Sequence, residues 1–194
     1  MPNQLLQVII ASTRPGRSGP AVAGWITRCA QDHAGFDVEV VDLAEVDLPM
    51  LNEPNHPRLQ QYVHTHTKDW SRTVARADAY VFVHPEYNHG MNGALKNAID
   101  YLFIEWQHKP VSFISYGGVS GGLRAVQMLK QVVTALKMVP VQEAVTIPFI
   151  AQHINDGCFI PSPAHEASAK AMLDELALLG NALRPLRKNA SSDT

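Results

Sequence analysis

A chain of 194 residues, 46% of them hydrophobic, fills one well-packed core and falls short of two, so a single domain over residues 1–187 is expected, followed by a polar tail, 188–194, that frays. The formal net charge of −2 excludes a general pull toward nucleic acid or an anionic membrane surface, so any anion site must be built locally. Cys29 and Cys158 lack C-x-x-C or Cys/His ligand spacing, which argues against a disulfide framework and a metal site, and no signal-peptide pattern or bilayer-length apolar run is present; a cytoplasmic protein is expected.

The chain alternates short β-type runs with helix-type stretches, the pattern of a parallel sheet with helices on both faces. The first run, residues 5–11 (LLQVIIA), leads through Ser12-Thr13-Arg14-Pro15-Gly16-Arg17-Ser18 into a helix over 19–33. Hydroxyls, two guanidinium groups and unpaired helix N-terminal amides together make an anion cradle, although Ser18 could simply cap the helix. The segment is neither G-x-G-x-x-G nor G-x-x-x-x-G-K-[ST], which disfavours a Rossmann site and a P-loop.

A second strand spans 37–43 (DVEVVDL), a Pro-rich surface loop 48–57 and a second helix 66–77. His64 and His66 are close in sequence, but an i, i+2 pair on a helix points to different sides, and no third ligand stands at recognisable spacing. The third strand, 79–84 (AYVFVH), runs into Pro85-Glu86-Tyr87-Asn88-His89-Gly90-Met91-Asn92-Gly93 and a helix over 92–106. A turn with an aromatic ring, an amide and little bulk can lie along a flat heterocycle; it can equally be a turn with Asn92 as helix cap. Tyr101, Leu102, Phe103, Ile104 and Trp106 at the end of that helix are more apolar groups than one face buries, which predicts a homodimer or homotetramer.

The fourth strand, 111–116 (VSFISY), is followed by Gly117-Gly118-Val119-Ser120-Gly121-Gly122, whose glycines let backbone amides approach a ligand or merely make a flexible connector. Its helix, 121–138, carries Leu123, Val126, Leu129, Val133 and Leu136 on one face. A fifth strand over 141–147, a loop over 147–163 and a helix over 164–186 complete the chain. Trp25, Trp70 and Trp106 fall in helix patterns and are expected in the core or an interface.

In a doubly wound sheet of order 2-1-3-4-5, ligands bind outside the carboxyl ends of the strands, and the loops after strands one, three and four are neighbours there. Their convergence predicts a flat, phosphate-bearing ligand. Ser-x-Arg after strand one, PEYN and LKNAID after strand three and SYGG after strand four resemble the NADPH-dependent FMN reductase family over roughly residues 5–147. The resemblance implies a flavodoxin-like fold, non-covalent FMN, and NADPH- or NADH-driven reduction of a small-molecule electron acceptor: a flavin, quinone, azo compound or metal oxyanion. By matched position Ser12, Arg14, Arg17 and Ser18, with backbone from Pro20, Ala21 and Val22, would hold the phosphate. Pro85, Glu86, Tyr87 and Asn88 would line the ribityl chain and ring, and Ser115, Tyr116, Gly117 and Gly118 would meet the pyrimidine side. The chain departs from the pattern at His89-Gly90-Met91-Asn92, where many relatives carry a Ser and a Pro.

With a flavin in place the protein needs no catalytic acid or base, and donor and acceptor would use one face in turn, a ping-pong order. Amides of Gly117 and Gly118 would stabilise the anionic reduced cofactor. Three other readings compete. Gly118-Val119-Ser120-Gly121-Gly122 fits G-x-S-x-G, with Asp156 and His165 following in hydrolase order, but a serine hydrolase leaves the first and third loops without a job. A flavodoxin-type electron carrier would normally show a markedly acidic docking face, which the near-neutral charge does not supply. A flavin-binding regulator would carry the same cofactor residues.

Overall fold

Strands apolar on both sides of the pleat must be covered on both faces, and that requirement organises the chain. The computed structural model describes residues 3–190. In it β1 (Gln4–Ile10) pairs in parallel with β2 (Phe36–Asp42) and with β3 (Ala79–Tyr87); β3 turns back through the two-residue β4 (Gly90–Met91) and also pairs with β5 (Pro110–Tyr116). Beyond β5 lie β6 (Val139–Pro140) and β7 (Val145–Ile147), both parallel to it. With β6 and β7 taken as one interrupted edge strand, this is the expected 2-1-3-4-5 order.

Side-chain alternation along the strands divides the interior into two cores. Val8, Ile10, Val81 and Val83 point to the face covered by α1 (Gly19–Asp32) and α6 (Pro163–Ala190), where Val22, Ile26, Met172 and Leu176 meet them. Ile9, Tyr80, Phe82 and Phe113 point to the other face. There α3 (Thr65–Ala75), α4 (Gly93–Asp100) and α5 (Leu123–Ala135) supply Trp70, Leu95, Ile99, Val126 and Leu129, and the one-turn α2 (Leu43–Val46) closes one end. Each such side chain, fully buried, contributes about 1.5–3 kcal/mol. All three tryptophans are in the cores, Trp70 and Trp106 meeting edge to face at 6.0 Å. A small antiparallel hairpin, β8 (Ile154–Asn155) with β9 (Cys158–Phe159), sets Phe159 tilted against Trp25 at 5.0 Å and lies in what the sequence presents as loop.

Four departures from the sequence reading have physical causes. The fifth strand breaks after Pro140, where the chain bulges and the Ser112 hydroxyl donates to the Glu143 carbonyl at 2.6 Å in place of a ladder bond. The helix over 92–106 stops at Asp100 and resumes as one 3-10 turn at Ile104–Trp106; the Trp106 indole donates to the Ile99 carbonyl at 3.1 Å across the break. Tyr101, Leu102 and Trp106 are thereby fully buried, so the apolar patch that motivated an oligomer is mostly core, with Ile104 the part that stays exposed. Leu123 is also exposed rather than on the buried stripe of α5.

His64 is the extended residue that caps α3, so helical spacing does not apply to it, and its ring stacks on that of His66 at 5.0 Å. α6 runs to Ala190, into the segment expected to fray; Ser191 to Thr194 lie outside the described residues. Among the described residues no helix is long and apolar enough to cross a membrane.

Candidate cofactor site at the ends of three strands

The parallel register brings the carboxyl ends of β1, β3 and β5 side by side, and the loops that follow them enclose a cavity of about 220 Å3. Arg14, Arg17 and Ser18 come from the first loop, Pro85, Glu86 and Tyr87 from the third strand, Tyr116 and Gly117 from the fourth. Ile150, from the segment after β7, closes the remaining side. The Ile150 and Phe149 amides bond the Gly117 and Gly118 carbonyls at 3.1 and 3.0 Å, which fastens that segment to the glycine loop.

The first loop splits its two arginines between two tasks. Arg17 donates to both carboxylate oxygens of Asp42, at 2.5 and 2.6 Å, and to the Ser12 carbonyl at 2.6 Å. The Asp42 hydrogen bond raises the guanidinium above its ordinary pKa. Burial opposes the Asp42 charge, but Arg17 and the Ala44 amide prevail and hold that carboxyl low. Arg17 therefore shapes the loop, whereas Arg14 lies exposed at the cavity with no ion pair among the described residues and is the arginine of this loop available to an anion.

Ser18 precedes α1 but makes no side-chain cap bond, so its hydroxyl is also available. Of the backbone expected to help, Pro20 has no N–H, and the buried Val22 donates to the Ser18 carbonyl at 3.2 Å; the first-turn amides left over are those of Gly19 and Ala21. A Cβ at Gly19 would collide with the Ser12 hydroxyl and come within 3.1 Å of the Tyr116 hydroxyl. Both hydroxyls are buried and, among the described residues, complete no hydrogen bond of normal geometry. Burial pushes the Tyr116 phenol up to about 12, while the Ser12 hydroxyl, Arg14 and Arg17 pull the other way. A guanidinium, neutral hydroxyl donors and free amides at a helix start are the donor set of a phosphate ester, and the group fits.

The third loop is a hairpin. Tyr87 pairs with Gly90 across Asn88 and His89, both in the left-handed region at φ 49° and 65°, as a two-residue turn of type I′ demands. Asn88 at the tip does not line the cavity, and Asn92 is no side-chain cap: its amide donates to the Ala11 carbonyl at 2.6 Å. Glu86 is almost buried. Its carboxylate accepts from the Ser120 hydroxyl (2.8 Å), the Arg124 guanidinium (2.8 Å) and the Arg124 and Ala125 amides (3.0 and 3.4 Å). Burial works against its charge, but these donors outweigh it and keep the carboxyl below the usual range.

In the fourth loop the glycines differ. Gly121 and Gly122 have positive φ and no room for a Cβ against β7 and β5, so they serve packing; a Cβ on Gly118 would meet nothing. The Gly117 amide donates to the Ile147 carbonyl at 3.3 Å, so of these two the Gly118 amide is the one without a backbone acceptor among the described residues. Ser115 is buried under Gly122 and away from the cavity. Ser120 bonds a carboxylate, not an imidazole, and the His165 ring packs on His153 and Phe159 while accepting from the Ser162 amide, so the hydrolase reading has no assembled triad.

His84, fully buried beneath the hairpin, has an unpartnered Nε2 and an Nδ1–H that donates to the Pro85 carbonyl at 3.2 Å. Burial pushes its imidazole from 6.5 down to about 4. The unfolded chain thus binds the extra proton between those values, so stability is complete above pH about 6.5 and falls as pH drops toward 4, by about 3 kcal/mol from this group. His84→Leu should flatten that acid limb; denaturant midpoints at pH 7 and pH 4.5 test it, and an equal fall in both proteins would refute the assignment.

Several known proteins are similar to this chain. The family described as NADPH-dependent FMN reductase matches residues 5–152. An NAD(P)H-dependent FMN reductase of Schizosaccharomyces pombe is 41% identical over 158 residues, covering 76% of this chain and 78% of that protein. An NADPH azoreductase of Bacillus sp. is 33% identical, covering 63% and 66%. Among solved structures, the flavoenzyme NAD(P)H:(acceptor) oxidoreductase FerB of Paracoccus denitrificans superposes with a TM-score of 0.74 at 20% identity, covering 92% of this chain and 98% of that one, which supports the flavodoxin-like fold.

Proposed function

The chain belongs to the NADPH-dependent FMN reductase family and acts as an FMN-dependent NAD(P)H oxidoreductase, and we propose that it holds the cofactor in the cavity at the ends of β1, β3 and β5. The observation that carries this placement is the pair of buried, unpartnered hydroxyls of Ser12 and Tyr116 beside Gly19, next to the unpaired Arg14. Arg14, Ser12, Ser18 and the Gly19 and Ala21 amides hold the phosphate. Pro85, Tyr87 and Gly117 flank the sugar chain and ring, and the Gly118 amide supplies a hydrogen bond at the ring's polar edge.

Bound FMN supplies the hydride-accepting and electron-donating chemistry. The chain's part is to orient it, to keep Tyr116 neutral as a hydrogen-bond donor, and to leave one open side for flat partners, beside the exposed Tyr87 of the cavity and near Val119 and Phe149, which are exposed next in sequence to the lining segments. Nicotinamide donor and small acceptor occupy that side in turn, a ping-pong order. The azoreductase relative supports an azo compound among the acceptors, with flavins, quinones and metal oxyanions as the wider class.

The exposed apolar rim supports assembly as a homodimer or homotetramer, and sedimentation showing only monomer at micromolar concentration would overturn that. The free cysteines, Cys29 and the exposed Cys158, support a cytoplasmic setting. A visible spectrum of the purified protein followed by anaerobic NADPH addition tests the function. Bound flavin should bleach; a colourless protein that cannot be reconstituted with FMN would overturn the reading.

A further inference from the structure

We propose that Glu86 is the positioning residue that joins the two walls of the cofactor cavity, holding the β3–β4 hairpin against the glycine loop and the start of α5. The inference rests on the cofactor placement proposed above. Hairpin and glycine loop follow strands that are paired as far as Pro85 and Tyr116, so beyond that last pair the distance between Tyr87 and Gly118 is left to contacts between the loops themselves. The Glu86 carboxylate spans them. One oxygen accepts from the Ser120 hydroxyl and the Arg124 guanidinium, both at 2.8 Å; the other accepts from the Arg124 and Ala125 amides at 3.0 and 3.4 Å. Those amides belong to the first turn of α5, whose own cap position is Gly122, a residue with no side chain to offer them. Glu86 therefore caps α5 from another element, and its side chain is only 7% exposed while doing so.

The arrangement also sets the local charge. Glu86 and Arg124 cancel each other beside the part of the cavity where the redox group's polar edge would lie, so removing one leaves the other's charge uncompensated. A purely structural cap predicts weaker FMN binding and nothing more. A clamp between the two walls predicts that binding and reduction potential both respond, with opposite signs of potential shift for the two partners.

Glu86→Gln, Ser120→Ala and Arg124→Met, each checked for folding by circular dichroism, should be titrated with FMN by flavin fluorescence, and the midpoint potential of the bound flavin measured. Glu86→Gln should weaken FMN at least tenfold and raise the potential. Arg124→Met should lower the potential, and Ser120→Ala should weaken FMN with little shift. If Glu86→Gln does not fold, the Ser120 and Arg124 variants still decide the matter. Wild-type affinity and potential in the folded variants, or shifts of the same sign for Glu86→Gln and Arg124→Met, would overturn the clamp while leaving the cofactor placement intact. A wild-type chain that binds no flavin would remove the placement and the clamp together.

Discussion

Arg14→Ala should weaken FMN binding by about 1.5–3 kcal/mol, roughly ten- to a hundredfold, and leave riboflavin nearly unaffected. The expectation follows from the division of labour in the first loop: Arg17 is occupied by Asp42, so Arg14 is the guanidinium left to meet a dianionic phosphate. Because Arg14 is exposed, the loss should lie toward the lower end and shrink as salt is added. Ser18→Ala should show the same selectivity with a smaller loss. Gly118→Ala makes the contrast: its Cβ meets no protein atom, so stability should hold while both flavins bind less well through crowding of the ring. Titration of each variant with both flavins is the measurement, and equal losses for FMN and riboflavin in Arg14→Ala would show that the phosphate binds elsewhere.

Gly122→Ala should cost the fold about 3 kcal/mol or more. Its φ of 89° is one that L side chains rarely adopt, and the new Cβ would stand 2.7 Å from the Ser115 Cβ and 2.9 Å from the Tyr116 amide nitrogen. Neither neighbour can swing aside, since both belong to β5 at the centre of the site. Strain and overpacking then add, and a chain of this size should melt about 6–12 °C lower. A melting temperature within about 2 °C of wild type would refute the packing argument.

Gly118 and Gly122 also mark the limit of what the sequence discloses. Both read as loop glycines, yet one faces open space and the other faces β5, a distinction that depends on tertiary neighbours. The strands and their order were legible because runs such as LLQVIIA and AYVFVH can only be covered on both faces, and the convergence of three loops followed from that order. The fate of each polar side chain was not. Arg17 and Asp42 are brought together by the parallel pairing of β1 and β2, and Glu86 meets Ser120 and Arg124 through β3 and β5.

Long-range partners of this kind leave no local periodicity. Asp42 could have been anticipated from its place at the end of a strand adjacent to β1. Ile150 carried no signal, because the segment after β7 reads as surface loop until its amides are seen bonding the glycine loop. The helix over 92–106 is a different case: apolar residues that read as a surplus for one face fall at the break between two short elements, where Tyr101 and Leu102 turn into the core and Ile104 alone of the two aliphatic side chains that flank Phe103 stays exposed.

The bidentate pair of Arg17 with Asp42 bears on kinetics. A first loop tied to β2 before any ligand arrives does not have to be ordered on encounter, so little conformational entropy would be lost if the phosphate binds there as proposed. On the proposed placement, cofactor capture is then governed by diffusion and the field of Arg14, so losing that charge slows capture, while uncharged changes such as Ser18→Ala fall on the escape rate. On the proposed placement, the length of time a flavin stays with the protein between turnovers depends in part on an ion pair that need not touch the flavin.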